Sequence, residues 1–391
     1  MSGFKARDKE FVAGTYGRFD LELVSGKGAV FCDVNGKEYI DLGSGIGVNI
    51  FGVADDEWVA AVTAQLSKLQ HASNLYYTEP CTLLAEALCK KSGMSKVFFS
   101  NSGAEANECA IKAARKYYSD AHGGAEGEII TLKNSFHGRT VTTLSATGQD
   151  VFHKNFGPFT DGFRFVAAGD CEELENAVGD KTAAVMIEMI QGEGGVNPLS
   201  QEFVDRIKEL AEKHGFLIIA DEVQTGNGRT GKYFACEHYG LKPDIISTAK
   251  GLGGGLPIGA TLFSSKTASV LGASDHGSTF GGNPVAAAGA LSIVNRVDDA
   301  LLCEVTAKGE YIRKSLEGAK GVKSIAGMGL MLGIETEGDA KRIVAECINR
   351  GVVALTAKTK VRLLPPLNIT YDQLDKALNI LKEVIENEAF A

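Results

Sequence analysis

The sequence offers little for binding nucleic acid, membrane or metal. Lys and Arg number 40 against 49 Asp and Glu, and the formal net charge of −9 argues against a surface for phosphate backbones. No apolar run reaches the length of a membrane span. The opening MSGFKARDKEF has no apolar signal core, so a cytoplasmic protein is expected. None of the eight cysteines falls in a CxxC pair. The segments around Cys32, Cys89, Cys109 and Cys347 are apolar or mixed, which predicts buried thiols in a reducing compartment rather than a disulfide framework. The seven histidines show no metal-ligand spacing, so no metal is expected. There is no GxxxxGK[ST] phosphate loop, no internal repeat and no block of like charge.

What is present reads as an ordinary globular chain. Of its 391 residues, 44% are hydrophobic and 23% charged, enough for two or three domains with substantial cores. Asn35-Gly36 stands between alternating segments and predicts a hairpin. From about residue 85 to 285 the pattern is strand, loop, helix, repeated. KVFF (96–99), EIITL (128–132), AVMIE (184–188), FLIIA (216–220) and DIIST (244–248) are short apolar strands. A helix begins near Ala104, and another follows Ser200 as N-cap and stops at Gly215. Continuous apolar strands alternating with helices predict an α/β fold with a mostly parallel sheet covered on both faces. After about residue 290 helices dominate, one of them starting at the capping box of Thr370 and Gln373. The expected organisation is an N-terminal segment of a small domain (1–48), a large domain (49–288) and a C-terminal small domain (289–391).

One stretch, STAKGLGGGLPIG (247–259), poses the functional question. Its single charge, Lys250, lies between a buried strand and a glycine run. The apolar flanks rule against a flexible linker, and within this stretch Leu256 and Ile258 break the dinucleotide spacing. A surface lysine at a strand end and a reactive lysine on a tight turn both remain, and the second needs partners. In α/β sheets ligands gather at the carboxyl ends of strands. There FLIIA is followed by Asp221, KVFF by SNSGAEANE, whose small residues enter a helix suited to a phosphate, and EIITL by NSFHGRT, with an aromatic and an arginine. Lysine can form a Schiff base with an aldehyde cofactor, and a carboxylate can hold a pyridine nitrogen protonated. Together these parts imply pyridoxal 5′-phosphate.

The motifs YGRFDLELVSGKGA, HASNLYYTEP, NSGAEANE, SFHGRT, QGEGGV, DEVQTGNGRTG, STAKGLGGGLPIGA, GSTFGGNP and VRLLPPL extend over nearly the whole chain. In them the sequence resembles the class III, pyridoxal-phosphate-dependent aminotransferases of fold type I. Within that class it is most similar to acetylornithine aminotransferases, in SNLYYTEP, IGVN and GSTFGGNP. The resemblance implies that Lys250 bonds the cofactor and that Asp221 partners its ring nitrogen. It implies further cofactor contacts from Ser102, Gly103, Ala104, Phe136, Glu222, Val223 and Gln224, with Thr279 reaching the phosphate of a neighbouring subunit in a homodimer. Arg139 and Ser278 would meet substrate. Glu193 would pair with Arg362 in one half-reaction and swing away in the other, freeing Arg362 for glutamate. His137 is implied as a packing residue or a residue supporting the site from behind, rather than a base. The reaction implied is transfer of the terminal amino group of N-acetylornithine to 2-oxoglutarate, giving N-acetylglutamate semialdehyde and glutamate, in arginine biosynthesis. Ornithine, succinylornithine, 4-aminobutyrate and acetyl-lysine stay open as the amine. GSGIGVN (43–49) lacks the aromatic that resembles an ornithine-selective site, which favours an acylated substrate. Two departures stand out: FGVADDE (51–57) replaces a Gly-His-x-His-Pro turn, and Glu188-Met189 replaces Glu-Pro.

Overall fold

Apolar strand residues alternate between two helical layers, and that alternation builds the centre of the molecule. The computed structural model describes residues 3–389. Met1 and Ser2 of the expected N-terminal segment, with Phe390 and Ala391 of the C-terminal one, lie outside the described residues. Ile129, Ala184, Met186, Leu217, Ile219 and Ile245 pack with Cys109, Ile111 and Ala113 of the helix Gly103–Ala121. Their neighbours Ile130, Val185, Ile187, Ile218 and Ile246 face the opposite way, with Phe203, Val204 and Ile207 of the helix Gln201–His214. The period of two in each strand thus supplies both faces of the sheet.

This sheet has seven strands, in the order Lys96–Ser100, Gly259–Phe263, Ile245–Thr248, Leu217–Asp221, Thr182–Ile187, Glu128–Leu132 and Phe163–Val166. Gly259–Phe263 runs antiparallel to both neighbours and the remaining pairs are parallel. The mostly parallel α/β architecture is therefore as the sequence predicts. The strand read as 216–220 ends one residue later, so Asp221 is its last residue, opposite Ser247. Ser200 Oγ accepts from Phe203 N at 3.2 Å, and Gly215 closes that helix at φ +77°, a left-handed position that suits glycine.

Both chain ends contribute smaller sheets. Leu23–Lys27, Val30–Asp33 and Glu38–Asp41 form an antiparallel meander, and Val352–Val353 adds in parallel to its last strand. Val322–Met328, Met331–Thr336, Lys360–Leu363 and Leu355–Ala357 form the other four-stranded sheet. Thr370 and Gln373 make the predicted reciprocal capping box before the helix Tyr371–Ala389. The boundary expected at 288/289 falls inside the helix Pro284–Arg296, which Asn283 caps through Val285 N and Ala286 N. All eight cysteines are free; Cys109 and Cys347 are buried, whereas Cys32 and Cys89 are only half-buried, a correction to the expected thiols. Cys32 lies on the meander strand Val30–Asp33, whose first three residues are only partly covered.

No helix among the described residues is long and apolar enough to cross a membrane, and no group of three or more His, Cys, Asp or Glu among them could hold a metal ion.

Candidate active site

A cavity of about 410 Å³ opens at the carboxyl edge of the central strands, within the size range of small-ligand sites. Ser102, Gly103 and Ala104 line it from the start of the helix Gly103–Ala121. Phe136 and Arg139 come from the loop after Glu128–Leu132, Asp221, Val223 and Gln224 from the end of Leu217–Asp221, and Lys250 from the turn after Ile245–Thr248. Lining residues as far apart in sequence as Ser102 and Lys250 converge because parallel strands deliver their carboxyl ends to one edge.

Lys250 is held at φ +46°, a costly conformation for a non-glycine residue and one that concentrates at functional sites. Its amine is lowered from the usual lysine range, chiefly by burial; Glu193 and Asp221 oppose that shift. The neutral, nucleophilic amine is thereby more accessible. Trp58, in the helix that follows the departing FGVADDE segment, donates from Nε1 to Gly253 O at 3.0 Å and anchors the glycine run behind Lys250.

Asp221 is the centre of a buried network. Its Oδ2 accepts from Asn107 Nδ2 at 2.8 Å and lies 2.8 Å from His137 Nδ1, while Oδ1 accepts from Val223 N at 3.0 Å. Ser247 Oγ donates to Asn107 Oδ1, which fixes the amide so that its NH2 faces Asp221 and His137 O. Burial would lower the His137 pKa, but the hydrogen bond and charge of Asp221 outweigh it, and the pKa is raised. Glu188 lines the cavity nearby, accepting from Phe136 N at 3.0 Å and Gly192 N at 3.3 Å. Burial, opposed mainly by His137, pushes its carboxyl up to about 7. Asn107 was not anticipated, because a polar residue inside a helix gives no sign in sequence of pointing inward. Glu188 stands out in sequence only through Met189, which follows it where Pro is usual in the family it resembles.

Glu193 and Arg362 meet outside that network. Arg362, on the strand Lys360–Leu363, donates from Nη1 to Glu193 Oε1 at 2.6 Å. Burial disfavours the Glu193 carboxylate, yet Arg362 holds its pKa below the ordinary value. Neither residue lines the cavity itself; Gln224 links them to it. Arg139 has no hydrogen bond or ion pair among the described residues, and its guanidinium rests 4.0 Å from the centre of the Phe152 ring and 5.4 Å from that of Phe136. Its donors are therefore available to a ligand.

Three expected residues fall elsewhere. Glu222 turns away from the cavity and is fully buried, accepting from Ala235 N, Cys236 N and Thr225 Oγ1. Successive residues at a strand end point oppositely, so a contact by Asp221 places Glu222 on the other side. Ser278 sits beside the cavity, its Oγ accepting from Asn101 Nδ2 at 3.2 Å and Gly281 N at 2.9 Å. Thr279 lines a separate shallow crevice with His71 and Asn74.

The donor set fits a flat aldehyde carrying a phosphate. The first turn of Gly103–Ala121 leaves N–H groups without intrahelical acceptors. A Cβ on Gly103 would lie 2.6 Å from Val223 Cγ1, so that backbone can approach only without a side chain. Phe136 offers a ring face, Asp221 a carboxylate for a ring N–H, and Lys250 an amine for the aldehyde.

Comparison with known proteins agrees in one direction. The class-III aminotransferase family matches residues 11–385. An acetylornithine aminotransferase of Haemophilus ducreyi is 48% identical over 384 residues, covering 97% of this chain and 98% of that protein. One from Caldanaerobacter subterraneus is 45% identical, covering 98% and 99%. Among solved structures, the N-acetylornithine aminotransferase of Stenotrophomonas maltophilia superimposes with a TM-score of 0.83 at 36% identity, covering 95% of this chain and 97% of that one. The ornithine aminotransferase of Toxoplasma gondii, described with partial occupancy of PLP at its active site, superimposes with a TM-score of 0.93 at 31% identity over 98% and 94%.

Proposed function

The chain belongs to the class-III aminotransferases, and within that family we propose that it moves the terminal amino group of N-acetylornithine to 2-oxoglutarate, using pyridoxal 5′-phosphate and yielding N-acetylglutamate semialdehyde and glutamate. The observation that carries the substrate is the run of acetylornithine aminotransferases at 41–48% identity over nearly the full length, against 31% for the ornithine enzyme of T. gondii. Val48 supports it: an aliphatic residue lines the cavity from the GSGIGVN loop. The role is biosynthetic, in the route to arginine, and the compartment is the cytoplasm.

When bound, the cofactor supplies an aldehyde for exchange of amines and a ring that accepts electrons. The chain does the rest. Gly103 and Ala104 N–H groups, with the Ser102 cap, would hold the phosphate, and Phe136, Val223 and Gln224 would hold the ring within the cavity they line. Asp221 keeps the ring nitrogen protonated and is itself aimed by Asn107 and His137. Lys250 Nζ holds the cofactor, then takes the proton from the substrate's reacting carbon and returns it. Arg139 grips one carboxylate of either substrate. Arg362 grips the carboxylate that glutamate or 2-oxoglutarate carries on its reacting carbon, and Glu193 covers it when the reacting carbon bears none, as in N-acetylornithine. An uncovered buried cation would cost on the order of 3–5 kcal/mol, which is why one pocket serving both substrates needs the cover.

The complete site belongs to a homodimer in this reading. Thr279 lies outside the cavity of its own chain, and Leu75, Tyr76, Tyr77 and Phe280 expose apolar surface beside it. Sedimentation should give a two-chain particle; a fully active monomer would contradict the dimer.

The amine is tested by mixing cofactor-loaded protein with one amine at a time and following cofactor absorbance in that single half-reaction. N-acetylornithine should convert the cofactor fastest. Faster conversion by ornithine or 4-aminobutyrate would replace the proposed substrate.

A further inference from the structure

The left-handed backbone of Lys250 is gripped on both flanks by side chains from distant segments. Before it, Asn227 Nδ2 donates to Thr248 Oγ1 at 2.9 Å and to Ala249 O at 3.3 Å. Asn227 is 1% exposed and itself sits at φ +60°, which asparagine tolerates better than most residues. After it, Gly253 N donates to Lys250 O at 3.1 Å, and Gly253 O accepts from Trp58 Nε1 at 3.0 Å. Trp58 is fixed at its own backbone, because Asp55 Oδ1 accepts from Trp58 N at 2.9 Å and from Arg296 Nη2 at 2.7 Å. Room for the indole is reserved: a Cβ would lie 3.0 Å from Trp58 Nε1 if built on Gly254 and 2.9 Å if built on Gly289. Neither FGVADDE (51–57) nor GNGRTG (226–231) lines the cavity, yet both lead to this one strained turn.

We propose that Asn227 and Trp58 are positioning residues that form a two-sided brace, holding Lys250 in its strained conformation and so aiming its amine. This rests on the reading of Lys250 as the residue that holds the cofactor and moves the proton. A left-handed conformation persists in a residue with a side chain only where its surroundings over-determine it. Here the surroundings are one hydrogen-bonded contact on each flank. The amine stands at the end of a four-carbon chain, so a backbone rotation swings it out of line, and a misplacement of about 1 Å can cost ~10²-fold in rate. Release of either flank lets the turn relax, so the two grips act as one unit and their losses should not multiply.

The test is a double-mutant cycle in cofactor-loaded protein. Asn227→Gly keeps the left-handed backbone and removes the amide; Trp58→Phe keeps a ring in the space and removes the donor. Each should slow the proton step, followed by stopped-flow absorbance, roughly 10–100-fold. The double variant should be within about threefold of the slower single one. The circular dichroism of the bound cofactor, taken relative to its absorbance, should fall in all three, because a relaxed Lys250 holds the ring less firmly. Gly289→Ala guards against misfolding of Trp58→Phe: it leaves the indole whole, presses on its N–H from the helix Pro284–Arg296, and should act in the same direction. Effects that multiply in the double variant, or an unchanged proton step and cofactor dichroism in the singles, overturn the brace. Lys250→Ala run alongside separates the two readings. Near-normal turnover there defeats the role of Lys250 itself, whereas lost turnover there with unaffected Asn227 and Trp58 variants defeats the brace alone.

Discussion

Asp221 and Arg362 are both buried charged side chains, 4% and 3% exposed, yet their partners differ in kind. Asp221 is surrounded by fixed groups. Val223 N is backbone, Asn107 is locked by Ser247, and His137 is itself buried. Arg362 depends on a loop acid whose side chain is 29% exposed, and it retains an unused donor. Each network leaves one buried nitrogen without a partner among the described residues, His137 Nε2 and Arg362 Nε, so the contrast lies in the partners: buried and locked groups hold Asp221, whereas a partly exposed side chain that can leave holds Arg362. The difference matches two chemical tasks. The cofactor's ring stays put through the cycle and needs a permanent counter-charge. The substituent on the substrate's reacting carbon changes between half-reactions, a carboxylate in glutamate and none in N-acetylornithine, and needs a removable one.

The largest effect is expected where the fixed side meets the chemistry. Lys250→Ala removes the amine that moves the proton and should lower turnover by at least the ~10²–10⁴-fold of a lost general acid–base group, in both half-reactions alike. Near-normal turnover would show that another residue carries the proton.

Asp221→Asn comes next. It removes the charge while nearly keeping the shape, and loss of one charge-assisted contact predicts roughly a 10–100-fold slower proton step, again symmetrical between substrates. Stopped-flow absorbance reports that step directly. An unchanged rate would mean the ring nitrogen does not need this carboxylate.

A smaller effect should appear in stability. Glu188 has a folded pKa of about 7 against an ordinary value of 4.5, so the native state binds the proton more tightly than the unfolded one. Its contribution is complete below pH 4.5 and is lost as pH rises through about 7. Cofactor-free protein should therefore lose on the order of 1–3 kcal/mol across that window from this group. Denaturant titrations of Glu188→Gln should show a flatter profile; an identical slope in parent and variant would acquit Glu188.

Neither side is fully legible in sequence: Asp221 follows from its strand, but its contacts with Asn107 and His137 do not, and the Glu193–Arg362 pair comes only from the family resemblance. Strands such as Glu128–Leu132 are legible because burial on both faces demands an unbroken apolar run, and the residues at their carboxyl ends then follow in register. Val352–Val353 is not legible: two residues pair with Glu38–Asp41 only because the tertiary fold brings them there. GNGRTG (226–231) carries the GxGxxG spacing, but it opens no α-helix and is followed only by the short 3-10 helix Ala235–Tyr239; the turn is held by Arg229, which is buried and donates to Leu330 O and Pro365 O. Glu222 was drawn into the expected cofactor set by its neighbours, while its burial in a cap around Ala235 and Cys236 depends on a turn that spacing does not reveal. The Glu193–Arg362 contact joins residues 169 positions apart, and Gln224 as its third member required the side chains themselves.

In this reading Arg362 alternates between an internal and a substrate carboxylate while Asp221 keeps its partners throughout. Measuring the glutamate and N-acetylornithine half-reactions separately in Glu193→Ala and Arg362→Ala tests it most directly. Glu193→Ala should hold or improve the glutamate half-reaction and weaken the N-acetylornithine one; Arg362→Ala should do the reverse, damaging glutamate most. Equal effects of each substitution on both half-reactions would contradict it.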